Sequence, residues 1–138
     1  MRRTLTVILL LLVSISIVAA EQENGRARLS LAIETPDHND RVNVRHEIAG
    51  IVSSGGARVF VIIQPRETSD CWVQNPILVN SDRTWRVFAQ FGEQTSGHSG
   101  KAYEVRALAN PKGSLRPGRT SCWPEAEAYS DPIYVVRK

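Results

Sequence analysis

The sequence predicts an all-β protein, a seven-stranded antiparallel β-sandwich of immunoglobulin-like type that follows a cleaved signal peptide. Three observations predict this class. Short apolar segments alternate with polar residues at a period of two. Turn-forming residues recur at intervals of roughly 8 to 15 residues, as in sandwiches with short strands. No segment keeps a helical period. Alternation of this kind is typical of antiparallel strands with one face packed.

The predicted strands follow one another with clear stop signals. The first covers 29–33, where apolar and polar residues alternate, and Thr35-Pro36 ends it. The second covers 48–52. The third covers 59–63 and is apolar at every position, which predicts a strand with little solvent on either face. The remaining predicted strands are 77–79, 85–91, 103–109 and 133–136.

Two of the predicted connections are long. Residues 92–101 form a glycine-rich loop, and 110–131 contain three prolines, too broken for a helix and too long for a hairpin. Phe60, Ile62 and Phe88 fall on the outward side of their strands. We expect the long connection to cover this second apolar face.

The N-terminus carries a secretion signal. Residues 1–3 are short and basic, and 5–18 are almost entirely apolar. Small residues at Val18 and Ala20 precede Glu21, as a signal-peptidase site requires. A retained membrane anchor is the alternative, but the apolar stretch is short for a span of about 20 residues and lacks a basic flank. The sequence therefore predicts an exported protein, periplasmic or extracellular, with no stable membrane anchor after cleavage.

The chain accordingly divides into a signal peptide at 1–20, a flexible mature N-terminus at 21–27 and one sandwich domain at 28–138. The full chain has 17 basic and 14 acidic residues, and loss of the two arginines at its start leaves a net charge of +1. No basic stripe remains, so nucleic acid is not a predicted partner.

Two cysteines in an exported chain predict one disulfide, between Cys71 and Cys122. The alternative is a pair of free thiols. The bridge would close a loop of about 50 residues and stabilise the fold by about 4 kcal/mol in the chain-entropy model.

A set of strand and turn residues occurs here in one order: Pro36, Val44, Ile48, Gly50, Val61, Pro65, Trp72, Gln74, Asp82, Trp85, Tyr103, Glu104, Val105 and Ala107. This order resembles small bacterial immunoglobulin-like (fibronectin III-like) sandwich domains of exported proteins, over 29–137. The resemblance implies a sandwich with a non-catalytic binding or accessory role, and it carries no catalytic residues. The chain departs from that pattern at Arg83-Thr84, where a turn glycine is expected, and in its cysteine pair.

No catalytic or metal-binding pattern stands out. There is no G-x-S-x-G elbow, and Ser96–Gly100 places serines beside a histidine only within a glycine-rich loop. The three histidines lack metal-ligand spacing, and 37–40 is better interpreted as a turn than as a cation loop. We therefore predict no enzyme activity, metal or cofactor. A small secreted hydrolase acting on cell-wall or host material is the alternative, favoured if two carboxyls lie within about 10 Å in a cleft.

The candidate binding site is the end of the sandwich tethered by the predicted disulfide. Each cysteine is followed directly by a tryptophan, so the bridge should bring both indoles close to it. The candidate binding residues are Trp72, Gln74, Lys112, Arg116, Arg119, Trp123 and Tyr129. Tryptophan and arginine dominate binding hot spots. The arginines favour a protein or peptide partner over a glycan, and the oligomeric state stays open.

Two other interpretations of that end remain. The indoles could pack on the disulfide and seal the core, or the whole domain could be a purely structural accessory module.

Overall fold

The computed structural model describes residues 27–138, whose regular structure is β-strand apart from one short 3-10 helix. The strands are β1 (Leu31–Thr35), β2 (Arg41–Val42), β3 (Arg45–Val52), β4 (Val59–Pro65), β5 (Asp70–Val73), β6 (Thr84–Gln90), β7 (Ala102–Pro111), β8 (Gly118–Ser121), β9 (Ala126–Tyr129) and β10 (Ile133–Arg137). The 3-10 helix is Ser96–His98. The all-β class is confirmed. Within 27–138 no helix is long and apolar enough to cross a membrane.

The strands form two sheets. The smaller sheet has the order β1-β3-β6, and the larger has the order β2-β10-β7-β4-β5-β8, with β9 also paired to β7. Alternation in β6 follows from this packing, because Trp85, Val87 and Ala89 are buried while the residues between them face outward. The main core lies between the two sheets and consists of the inward-facing residues of both. The sandwich architecture is confirmed.

The strand number and the strictly antiparallel arrangement were wrong. Residues 27–138 contain ten strands rather than seven, and β2 pairs with β10 in parallel. The predicted connection at 110–131 contains β8 and β9, each four residues long. Neither shows a long apolar alternation. β8 pairs with β5, from a distant part of the chain, and β9 pairs with the end of β7. Short strands that form through tertiary pairing leave a weak local signal.

The strand predicted at 77–79 is also wrong. This segment is irregular, and Ile77 and Val79 pack against the main core without a ladder. At the next residue the Asn80 N–H donates to the carbonyl of Thr84, the first residue of β6, at 2.9 Å. Pro76, just before the segment, has no N–H to donate to a sheet. The apolar residues at 77–79 are therefore explained by burial against the core and not by pairing in a sheet.

Burial of the third predicted strand on both faces is confirmed. In β4 the residues 59, 61 and 63 join the main core, whereas Phe60 and Ile62 join a second apolar cluster on the outer face of the larger sheet. Leu115 and Trp123, from the long connection, pack against this second cluster. Phe88 does not share this cover. It lies on the outer face of the smaller sheet, is 51% exposed, and has the Arg45 guanidinium 4.7 Å from its ring centre.

The predicted disulfide is present. Cys71 on β5 is bonded to Cys122, just after β8, with the two Cα atoms 5.2 Å apart. Cys71 is fully buried in the second cluster, so the bridge lies on the outer face of the larger sheet. A bonded pair agrees with an oxidising compartment. The predicted signal peptide at 1–20, and 21–26 of the predicted mature N-terminus, lie outside the described residues.

Candidate functional site

A pocket of about 500 Å³ opens at one edge of the sandwich. The larger sheet continues past β4 with β5 and β8, whereas the smaller sheet ends at β6. Among the strands of the described part of the chain, none therefore faces the inner surface of β5. The turn between β4 and β5 forms one wall of the pocket, and the loop between β6 and β7 forms the other. Its volume lies within the range of about 300 to 1,000 Å³ that ligand pockets usually have.

Trp72 lies at the mouth of this pocket. Because Cys71 and Val73 point into the second cluster, the residue between them points to the opposite, inner face of the sheet. Trp72 is in register with Ile63 of β4, also a pocket residue, and is 42% exposed. The disulfide thus holds the outer side of the same short strand that presents the indole on its inner side.

Gln74 connects the two sheets beneath the indole. Its side chain is 9% exposed. The amide nitrogen donates to the Trp72 carbonyl at 3.1 Å, and the amide oxygen accepts from the Gln90 N–H at 2.9 Å. The Gln90 side chain in turn donates to the Gly92 carbonyl at 3.2 Å. Gln74 therefore holds the pocket together, and its own polar atoms are already paired.

The loop at 92–101 is fixed by Arg137 near the end of the chain. The guanidinium of Arg137 is buried, with the residue 6% exposed, and donates to the carbonyls of Phe91 at 3.0 Å and Thr95 at 3.4 Å, and to that of Glu93. Its backbone also bonds both Gly100 and Lys101. The wall formed by this loop is consequently attached to β10 of the larger sheet.

Three ion pairs include at least one residue of the pocket lining. Lys101 lies 3.3 Å from Glu67 across the opening. Arg119 lies 3.5 Å from Asp70, which is on the same strand as the exposed indole. Arg66 reaches away from the pocket, since its guanidinium lies 3.6 Å from the carboxylate of buried Glu104. Both signs of charge are therefore present at the rim.

The second tryptophan of the predicted site belongs to the other side of the sheet. Trp123 is half-buried against the second cluster, and the Arg106 guanidinium lies 4.3 Å from its ring centre. Arg106 also lies 3.2 Å from Glu104, whose carboxylate accepts a hydrogen bond from the Tyr134 hydroxyl at 2.7 Å. The two indoles expected to emerge together are thus separated by the sheet.

The remaining predicted residues divide between these two sides. Arg119 on β8 is in register with Trp72, so it lies beside the indole on the inner face. Lys112 forms an exposed ion pair with Glu125 at 3.5 Å. The Tyr129 hydroxyl donates to the Pro124 carbonyl and accepts from the Ala126 N–H at 2.9 Å, which closes the turn before β9. Arg116 is exposed in the segment that leads into β8.

Sequence reasoning missed the residues at the far end of the pocket, among them His98, Lys101 and Tyr103. Tyr103 is only one position in a predicted strand, and the other two lie in a glycine-rich loop. The signal available in the sequence is a glycine, Gly92, directly after the predicted strand 85–91. In the structure this residue has a φ of 75°, a conformation that favours glycine. Burial raises the pKa of Tyr103, an effect that the nearby charges of Arg137 and Lys101 partly oppose.

No group of three or more His, Cys, Asp or Glu side chains within 27–138 could hold a metal ion. Comparison with known proteins finds no matching family model, curated protein or solved structure.

Proposed function

We propose that this protein is an exported, non-catalytic module of immunoglobulin-like type that binds a protein or peptide segment in the pocket beside Trp72. The observation that carries the proposal is a half-exposed indole at the mouth of a pocket of about 500 Å³, on a strand fixed by a disulfide. Rigid scaffolds that present an aromatic anchor next to a concavity are suited to binding, because little conformational entropy is lost on association.

The three tryptophans of the chain support a binding role for one of them. Trp85 is 1% exposed in the main core, and Trp123 is covered by the second cluster and by Arg106. Trp72 alone among them leaves a large apolar ring open to solvent beside unfilled space. Covering such a ring in a complex is favourable by about 25 cal/mol per Å² of apolar surface removed from water.

The lining favours a peptide over a glycan. Ile63 and the ring of Trp72 contribute apolar surface to the pocket. The carboxamide of Gln74, the group best suited to sugar hydroxyls, already has partners for its nitrogen and its oxygen. Apolar side chains of a peptide would fill the interior, while its polar backbone would meet the ion-paired charges of the rim.

The proposed site contains only those predicted binding residues that lie on the inner face of the larger sheet. Trp72 and Arg119 lie together on the inner face, next to the pocket. Trp123, Tyr129 and Lys112 lie on the cover over the second cluster and have partners of their own. Export is part of the same proposal, supported by the disulfide and by the small residues before Glu21. The immunoglobulin-like type is supported by the two-sheet sandwich.

The test is selection of random peptides displayed on phage against the immobilised purified protein. We expect sequences with a shared apolar residue to be enriched by the natural protein and lost with Trp72→Ala, since that change removes the anchor. Phe88→Ala is the matched control, because it removes an exposed aromatic ring from the far face of the smaller sheet.

Enrichment that survives Trp72→Ala would place binding elsewhere on the surface. A protein that enriches no peptide at all would be a structural accessory module, and the proposal would be abandoned.

A further inference from the structure

The pocket has two chemically different ends. One end is aromatic and apolar, around Trp72, and the other carries His98, Lys101 and Tyr103. At this polar end the groups converge on Gly92. A Cβ placed on that glycine would lie 2.5 Å from Nδ1 of His98 and 2.7 Å from the hydroxyl oxygen of Tyr103. An imidazole and a phenol hydroxyl therefore lie close together at one point of the lining.

A buried positive charge lies behind this end. The guanidinium of Arg137 contacts backbone carbonyls, and among residues 27–138 no carboxylate lies within 4 Å of it. The same charge lies close enough to Tyr103 to oppose the effect of burial on its pKa. A buried charge without an opposite charge is costly, and an anion brought near it recovers part of that cost.

The acidic residues of the pocket do not supply that anion. Glu67 lies against Lys101 at 3.3 Å, and Asp70 lies against Arg119 at 3.5 Å. Glu93 meets Arg137 only through its backbone carbonyl, while the residue itself is exposed. The polar end thus presents a hydroxyl, an imidazole and an ion-paired ammonium in front of a guanidinium that contacts carbonyls and has no carboxylate partner within 4 Å among residues 27–138.

We infer that this end of the pocket is a carboxylate subsite, in which Tyr103, His98 and Lys101 face the ligand anion and Arg137 supports it from behind. The inference rests on the proposed peptide binding. The ligand is an extended peptide whose apolar side chain lies toward Trp72 and whose carboxylate lies at the polar end. That carboxylate comes either from the peptide's own C-terminus or from an acidic side chain beside the apolar residue.

The test is an NMR titration of the purified protein with three small probes. N-acetyl-phenylalanine carries a terminal carboxylate, N-acetyl-phenylalanine amide carries none, and N-acetyl-phenylalanyl-aspartate amide carries one on a side chain. We expect at least one of the two carboxylate probes to bind about tenfold more tightly than the neutral amide, because charge-assisted hydrogen bonds are the stronger kind. Which of them does so identifies the source of the anion.

Two variants locate the effect. Tyr103→Phe keeps the ring in the core and removes only the hydroxyl, and Lys101→Gln removes the exposed ammonium. Each should reduce the ratio of affinity for the carboxylate probe to affinity for the neutral amide. Lys112→Gln is the matched control, because Lys112 is also ion-paired, at 3.5 Å, but lies outside the pocket.

The outcomes separate this inference from the function on which it rests. Equal affinity for all three probes would overturn the carboxylate subsite and leave peptide binding standing, as would a carboxylate preference that persists in both pocket variants. Failure of all three probes to bind would remove both.

Discussion

Trp72 and Trp123 begin from the same local pattern and reach opposite environments. Each directly follows one of the bonded cysteines, yet one indole is open at a pocket and the other is packed beneath Arg106. The difference comes from what lies opposite each ring. The long connection folds over the outer face of the larger sheet and packs its own Trp123 there, whereas within 27–138 no strand of the smaller sheet follows β6 to cover Trp72. A buried seal and an exposed anchor thus arise from one sequence motif.

The largest expected effect comes from removing the bridge that both indoles flank. Replacing both cysteines, as Cys71→Ala/Cys122→Ala, should lower the free energy of unfolding by up to about 4 kcal/mol, since the unfolded chain regains the entropy of a long loop. Urea denaturation measures it. A loss below about 1 kcal/mol would mean that the pairing of β5 with β8 holds this edge without the covalent link.

The two tryptophans provide the direct test of the comparison. Trp123→Ala should lower the free energy of unfolding by about 2 to 3 kcal/mol, somewhat less than a fully buried aromatic residue, because it opens a cavity over the second cluster. Trp72→Ala should change it by about 0.5 kcal/mol or less, as at most surface positions. Both values come from the same denaturation series. Equal losses would show that the inner ring also seals the core.

The two arginines of the long connection should also differ in their effect on peptide binding. Arg119 lies beside Trp72, whereas Arg116 is exposed in the segment before β8. Each change to alanine should leave stability within about 0.5 kcal/mol, because exposed ion pairs contribute little. Arg119→Ala should weaken peptide capture and Arg116→Ala should not. Equal weakening by the two changes would indicate a diffuse basic surface.

The smallest effect concerns the buried phenol of the pocket. Burial raises the pKa of Tyr103 above its ordinary value of 10.0, so the unfolded tyrosine loses its proton at lower pH than the folded one. This stabilisation is complete below pH 10 and is lost as the pH rises through the folded-state pKa. The free energy of unfolding should therefore fall more steeply above pH 10 in the natural protein than in Tyr103→Phe.

Tyr134 is the control for this pH dependence, because its hydrogen bond to Glu104 also raises its pKa, on the outer face of the sheet. Tyr134→Phe should leave the contribution of Tyr103 in place. If Tyr103→Phe and the natural protein lose stability in parallel above pH 10, ionisation of the pocket phenol does not contribute.

Much of the fold could be predicted from periodicity, but the strand count could not. The buried character of 59–63 and the alternation of β6 both follow from residue pattern. β8 and β9 lack such a pattern and exist because β5 and β7 offer them hydrogen-bonding edges. The apolar run at 77–79 misled the prediction, since it packs on the core without joining a ladder.

The candidate site was predicted in part. Trp72, Gln74 and Arg119 were named from residue type and from the disulfide, and the structure places them around one edge. Trp123 was named on the same grounds but lies across the sheet. The polar end of the pocket could not be predicted, because Tyr103 on β7 and Arg137 on β10 become neighbours only when these two strands pair in the folded sheet.

By itself the sequence determined that the chain is all-β, that β4 is buried on both faces and that two cysteines suit one bridge. Each of these depends on residue type and on the local spacing of apolar residues, and both can be observed directly in the sequence. Only the tertiary structure decided which tryptophan is covered and where an open space remains. Exposure depends on which segment lies opposite a side chain, and here the two sheets end at different strands. Because the larger sheet extends beyond the smaller one, the inner face of β5 is left uncovered and the pocket forms there.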